Sequence, residues 1–145
     1  MIDCKTEISK KTYNILVVDD EPAVRMTIEE MLKPLSCKIF HASNGNEALE
    51  TIRTNKVDLV ILDVLLPGRH GFYVCSSIRE MEQGRNIPIL MMTAVYTKMK
   101  YYYQAQECGV NAYMVKPFKM DDLISKVSKL LDIKNRQQMT TEKAY

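Results

Sequence analysis

The run Leu59-Val60-Ile61-Leu62, closed by Asp63, limits the fold more than any other stretch of this chain. It is too short for an independent helix and rich in β-branched residues. It suits a strand buried on both faces, as in a parallel sheet. Val64 and Leu65 come next, before the break at Pro67-Gly68. A carboxylate at the tip of a buried strand is costly unless something balances it. In open α/β sheets the strand tips are also where ligands bind. Taken alone, Asp63 is as well explained by capping of the following turn. The weight therefore falls on what else reaches that edge.

Four more apolar runs of similar length flank this one. Asn14 to Val18 leads into Asp19-Asp20-Glu21-Pro22, and Cys37 to Ala42 forms a second run. Pro88 to Met92 ends in Thr93-Ala94, and Ala112 to Val115 ends in Lys116-Pro117-Phe118. Between the runs, apolar residues recur at helical spacing. Val24, Ile28, Met31, Leu32 and Leu35 mark a first helix that Pro34 closes, with Pro22 in its first turn. Asn44 with Glu47 three residues on starts a second, with Ala48, Leu49 and Ile52 inward. Phe72, Cys75, Ile78 and Met81 mark a third. A less regular fourth spans about Lys98 to Cys108 and stops at Gly109. Leu123, Ile124, Val127, Leu130 and Leu131 mark a fifth, with Asp121 and Asp122 in its first turn. Five strands alternating with five helices predict a parallel sheet covered on both sides.

The expected division is a polar extension over 1–12, one domain over 13–133, and a polar tail or start of a linker over 134–145, read as disordered. The chain has 145 residues, 46% hydrophobic and 26% charged, enough for one domain with a real core. A net charge of +2 without a basic patch gives no ground for direct nucleic-acid binding. No apolar run approaches a membrane span, and MIDCKTEISKK has no signal-peptide core. Cys4, Cys37, Cys75 and Cys108 lack metal-ligand spacing and read as reduced thiols of a cytoplasmic protein.

Parallel strands share one carboxyl-terminal edge. That edge receives Asp19 and Asp20 from the first strand, Asp63 from the third, Thr93 from the fourth and Lys116 from the fifth. Each has a bland reading: helix N-terminal acids, ordinary strand residues, a solvated loop lysine. Those readings must all hold at one edge, and together they are the weaker account. Carboxylates within a few ångströms repel; at an effective dielectric near 20, a pair about 4 Å apart costs about 4 kcal/mol. Mg2+ relieves this, because it takes oxygen ligands and is commonly held by one or two carboxylates plus phosphate oxygens. Asp63 then suits a nucleophile that forms an aspartyl-phosphate. Lys116 and the Thr93 hydroxyl suit contacts to phosphoryl oxygens, and the small Ala94 leaves room for the group.

These residues resemble the receiver domain of bacterial two-component response regulators. The matching motifs are Val17 to Pro22, the Asp63 strand with Pro67-Gly68, Thr93-Ala94, and Tyr113 to Phe118, in order along residues 14–133. The resemblance implies a flavodoxin-like fold with strand order 2-1-3-4-5. It implies that Asp63 accepts a phosphoryl group from a sensor histidine kinase or a histidine phosphotransfer protein. It assigns Asp19, Asp20, Asp63 and the backbone carbonyl of Leu65 to Mg2+, or Mn2+ in its place. It makes Thr93 and Tyr113 a switch pair that remodels the face of the fourth helix, fifth strand and fifth helix. A downstream protein, a fused output domain or a second copy would read that face. The domain would catalyse its own phosphorylation and slow autodephosphorylation rather than act as a conventional enzyme.

Other readings are weaker. A phosphate-independent pseudo-receiver would not need the intact Asp19, Asp20, Asp63, Thr93 and Lys116. A haloacid-dehalogenase-type phosphatase wants an aspartate two residues after its nucleophile, where this chain has Leu65. A flavodoxin would not place an acidic loop against a flavin phosphate. Tyr101-Tyr102-Tyr103 on the fourth predicted helix serves either as an exposed partner or dimer contact or as half-buried packing, and the sequence leaves both open. His41 and His70 receive no role. Departures from the family are the apolar Leu65 and Val95, Leu66 before the proline, and a Thr93-to-Lys116 interval about one residue longer than usual, which predicts a rearranged loop over 95–99. Leu65 and Val95 beside the phosphoryl group would hinder the hydrolytic water and prolong the phosphorylated state. Leu65→Asn is expected to speed loss of the phosphoryl group about three- to tenfold, roughly 1 kcal/mol of barrier. An unchanged decay rate, followed by intact mass, overturns that expectation.

Overall fold

The computed structural model describes residues 11–66, 70–93 and 108–143, with side chains to residue 132. Five strands form one parallel sheet: β1 (Tyr13–Val18), β2 (Cys37–Ala42), β3 (Leu59–Asp63), β4 (Ile89–Thr93) and β5 (Ala112–Val115). Their order is β2-β1-β3-β4-β5, as the resemblance implies. The helices described are α1 (Pro22–Met31), α2 (Gly45–Thr54), α3 (Gly71–Glu80) and α4 (Met120–Lys143). The Tyr101-Tyr102-Tyr103 stretch, Ala94, Val95 and Pro67-Gly68 lie outside the described residues, as does the fourth predicted helix apart from Cys108.

The strands are apolar throughout because both faces are covered. Successive side chains point to opposite faces, and the core divides accordingly. Leu16, Val18, Val60, Leu62, Ile89 and Met91 pack with Ala48 and Ile52 of α2 and Val74, Cys75 and Ile78 of α3. Ile15, Val17, Leu59, Ile61, Leu90 and Met92 pack with Ile28 of α1 and with Leu123 and Val127 of α4. All five residues of β3 are buried, as are all five of β4.

Helix starts obey local chemistry. Pro22 occupies the first turn of α1. The Asn44 side chain accepts from the Glu47 N–H at 2.9 Å, and Glu47 accepts from the Ser43 N–H at 2.8 Å, a reciprocal cap for α2. His70 caps α3 by accepting from the Phe72 N–H at 3.4 Å. The last helix differs from expectation. It runs 24 residues to Lys143, through the polar stretch 134–143 that reads as a tail. No glycine or proline interrupts it, and Lys, Arg, Gln, Glu and Met all favour helix.

The amino-terminal edge of the sheet is tied by one side chain. Arg79, in the last turn of α3, donates to Gly84 O at 2.8 Å and Ile87 O at 2.7 Å. It also donates to Gly109 O at 2.7 Å and Asn111 Oδ1 at 2.9 Å. The same Asn111 oxygen accepts from the Ile89 N–H at 2.8 Å. A planar guanidinium with five donors suits this fork of carbonyls. Arg79→Ala would leave those acceptors to water and is expected to cost about 2–4 kcal/mol. Arg79→Lys should recover only part, since one ammonium cannot span them. Urea unfolding midpoints check both; an Ala variant within error of wild type contradicts the reading.

Candidate functional site

The parallel arrangement sends the ends of β1, β3, β4 and β5 to one edge, and backbone bonds hold the residues just past those ends in place. Asp19 N–H donates to Ala42 O at 3.1 Å, carrying β1 one residue past its end. Val64 N–H donates to Met92 O at 2.9 Å, and Lys116 N–H to Thr93 O at 2.7 Å. Asp63 is paired with Met92, and Thr93 with Val115. Asp19, Asp63 and Thr93 are all buried, at 0%, 7% and 3% exposure.

Lys116 joins the parts. Its Nζ donates to Asp19 Oδ2 at 2.8 Å and to Asp63 Oδ2 at 3.5 Å. The Lys116 ammonium is therefore in contact with both Asp19 and Asp63. Asp20 is exposed and stands with its neighbours. The acidic set whose ligand atoms lie within 4.8 Å of one another, among the described residues, is Asp19, Asp20 and Glu21. Asp63 lies outside that set and joins it through Lys116 and Asp19. The Lys116 ammonium is held between Asp19 and Asp63, the two acids of the edge that are buried. Glu21 is a member that reads in the sequence only as a helix-start acid; its N–H also donates to Asp19 Oδ1 at 2.9 Å. The Leu65 N–H donates to Asp63 Oδ1 at 3.3 Å, while its side chain is exposed.

Two further residues position the site. A Cβ added at Gly71 would lie 2.3 Å from Asp63 O and 2.8 Å from Val64 Cα, so only glycine lets α3 start so close behind β3. Gly71 N–H donates to Val64 O at 2.7 Å, clamping that junction. Arg25 of α1 donates from Nη1 to the Asp19 carbonyl and sets a second cation near the acids. Alternation along β4 places Thr93 on the face of Ile89 and Met91, the face on which Tyr113 packs half-buried with its hydroxyl buried. Alternation along β1 and β3 places Asp19 and Asp63 on the opposite face, with Ile15, Val17, Leu59 and Ile61. The Lys116–Pro117 peptide is cis.

Burial is the largest influence on the Asp63 carboxyl. With the charge of Asp19 it outweighs the Lys116 ammonium and the Leu65 N–H, and the pKa rises to about 6. For Lys116 burial is again largest and pulls the pKa down. The hydrogen bond to Asp19 and the charges of Asp63 and Asp19 overcome it, and the pKa lies above its ordinary value. The ammonium thus stays charged at neutral pH.

A carboxyl whose folded pKa is raised favours folding in its protonated form. That contribution is complete below the unfolded value, near pH 4, and is lost as pH rises through about 6. In metal-free buffer, Asp63→Asn is expected to be more stable than wild type by about 1–2 kcal/mol at pH 7.5. The difference should fade toward pH 4. Urea midpoints at the two pH values measure it; a variant no more stable at pH 7.5 contradicts the electrostatics.

The chain resembles known proteins over most of its length. The family model of the response regulator receiver domain matches residues 15–128. Sporulation initiation phosphotransferase F of Bacillus subtilis is 31% identical over 121 residues, covering 83% of this chain and 95% of that protein. A protein named "Probable transcriptional regulator ycf27" in Cyanidium caldarium is 34% identical over 123 residues, covering 85% of this chain. The match spans 48% of that regulator, so the chain corresponds to about half its length. Among solved structures, the chemotaxis response regulator CheY4 of Vibrio cholerae superposes with a TM-score of 0.77 at 27% identity, over 83% of this chain and 99% of that one. The receiver domain of sensor histidine kinase PA1611 from Pseudomonas aeruginosa, which has a magnesium ion coordinated in its active-site cleft, gives 0.76 at 28% identity, over 84% and 99%. With its doubly wound sheet in the order β2-β1-β3-β4-β5, this chain belongs to the response regulator receiver domain family of two-component signalling.

Proposed function

We propose that Asp63 is the phosphoacceptor of a phosphorylation-controlled switch, supplied by a sensor histidine kinase or a histidine phosphotransfer protein. The observation that carries this reading is the Lys116 ammonium spanning Asp19 and Asp63 at the carboxyl edge of the sheet. The donor set fits a hard divalent cation. Asp19, Asp20 and Glu21 gather carboxylate oxygens within 4.8 Å of one another, and Asp63 and the Leu65 carbonyl would add oxygen ligands to Asp19 and Asp20. Mg2+, or the similarly hard Mn2+, bound there would neutralise charge on the transferring phosphoryl group.

The chain's own groups divide the remaining work. With a pKa of about 6, Asp63 is mostly ionised at neutral pH and able to attack. A carboxylate oxygen forms a bond to phosphorus as the phosphorus–nitrogen bond of the donor histidine breaks. The electron pair goes to the imidazole, which takes up a proton, and an acyl phosphate remains. Lys116, held by Asp19, faces a phosphoryl oxygen. The Thr93 hydroxyl donates to another. Because Thr93 and Tyr113 lie on one face of the sheet, movement of the first is felt by the second. The half-exposed Val115 and Met120, at the end of β5 and the start of α4, belong to the surface that a downstream protein, an output domain or a second copy would read. In this reading the receiver unit is residues 13–133. No described helix is long and apolar enough to cross a membrane.

Intact mass with magnesium and a small phosphodonor tests the reading. Wild type is expected to gain one phosphoryl group, and Asp63→Asn none. Lys116→Met should be modified at least about tenfold more slowly, the loss of roughly 1.4 kcal/mol of transition-state stabilisation. A wild type that stays unmodified by every donor, or an Asp63→Asn variant modified like wild type, overturns it.

A further inference from the structure

We propose that Cys75 and Cys108 form a peroxide-oxidisable thiol pair that closes to a disulfide between α3 and the segment entering β5. The two residues are far apart in sequence and form no motif, yet the fold brings them into contact. Cys75 lies mid-helix in α3 with 0% exposure. Its thiol donates to the Cys108 carbonyl at 3.1 Å. Cys108 is half-buried and packs on the same core cluster. Each thiol also shifts the titration of the other. The contact places the Cys75 sulfur against the residue it would bond.

The surroundings assign different roles to the two sulfurs. Arg79 stands one turn beyond Cys75 on α3, and its guanidinium donates to the carbonyl of Gly109, next to Cys108, at 2.7 and 3.2 Å. The neighbouring Cys75 thiol is the chief influence lowering the Cys108 thiol, with burial opposing and the Arg79 charge in support. The same contact and burial raise the Cys75 thiol. The thiolate is the nucleophile in sulfur chemistry, so Cys108 attacks first. Its thiolate displaces hydroxide from the peroxide oxygen it attacks and becomes a sulfenic acid. Cys75 sulfur then attacks the Cys108 sulfur. The sulfenic hydroxyl leaves with the Cys75 proton as water, and the disulfide remains. In sum, two thiols and one peroxide give one disulfide and two waters. The bond would fasten α3 to the strand that carries Tyr113 and leads to Lys116.

The test treats the folded chain with hydrogen peroxide, blocks remaining thiols by alkylation, and maps the digested protein by mass. A reductant-sensitive Cys75–Cys108 peptide is expected, forming at least about tenfold faster in the folded protein than in urea, where contact no longer favours the pair. Cys75→Ala is expected to accumulate sulfenic acid on Cys108, captured by a dione probe. Cys108→Ala should leave Cys75 reduced. Circular dichroism establishes that both variants are folded, and the wild-type map stands without them. Full alkylation of Cys108 after peroxide, or disulfides only to Cys4 or Cys37, overturns the proposal.

Discussion

One ammonium between two buried carboxylates sets the character of this molecule. Lys116 reaches Asp19 and Asp63 from a strand that neighbours neither of theirs, because β4 stands between β5 and β3. A single positive charge neutralises only half of that pair, and Asp20 and Glu21 stand close by. Burial, aided by the charge of Asp19, raises the Asp63 pKa in spite of that ammonium. Such an arrangement relaxes unless the backbone prevents it. Here it is prevented by strands whose side chains are buried on both faces. A one-residue slip of β3 would turn its whole apolar set to the wrong layer. Hydrophobic burial thus fixes the register, and the register forces the charges together.

The two edges of the sheet are accordingly different. At the amino-terminal edge, Arg79 donates to four acceptors and leaves little unmet. At the carboxyl-terminal edge, among the described residues, the acids Asp19, Asp20, Glu21 and Asp63 outnumber the cations Lys116 and Arg25 beside them. A satisfied edge resists change, whereas an unsatisfied one responds to whatever supplies the missing charge. Conflict between local electrostatics and global packing is expected at functional sites.

Much of this is legible in the sequence, for identifiable reasons. Continuous apolar runs bounded by turn residues mark all five strands, and Asn44 with Glu47 marks the start of α2. Asp63, Thr93 and Lys116 are legible because each closes such a run. What escapes depends on approach in space. Nothing around Gly71 in sequence tells that a Cβ there would strike Asp63 O. Arg79 reads as an ordinary helix-end cation until the loops that it gathers are in place. Glu21 reads as a helix-start acid. The length of α4 escapes because polarity alone suggests loss of structure, although those residues favour helix as well.

The sheet also bears on how a change at Asp63 would travel. Alternation places Asp19 and Asp63 toward α1 and α4, and Thr93 and Tyr113 toward α2 and α3. Side chains on opposite faces cannot meet through the layer. They meet only over its edge, where Lys116 N–H is bonded to Thr93 O and the Lys116 side chain reaches Asp63. Residue 116 therefore ties the strand ends together, its backbone bonded to Thr93 in the plane of the sheet and its ammonium reaching Asp63. In the proposed switch, a phosphoryl group on Asp63 would draw on that ammonium and on the Thr93 hydroxyl. In the proposed switch, the coupling thus runs through the paired ends of β4 and β5, and the buried middle of the sheet need not move.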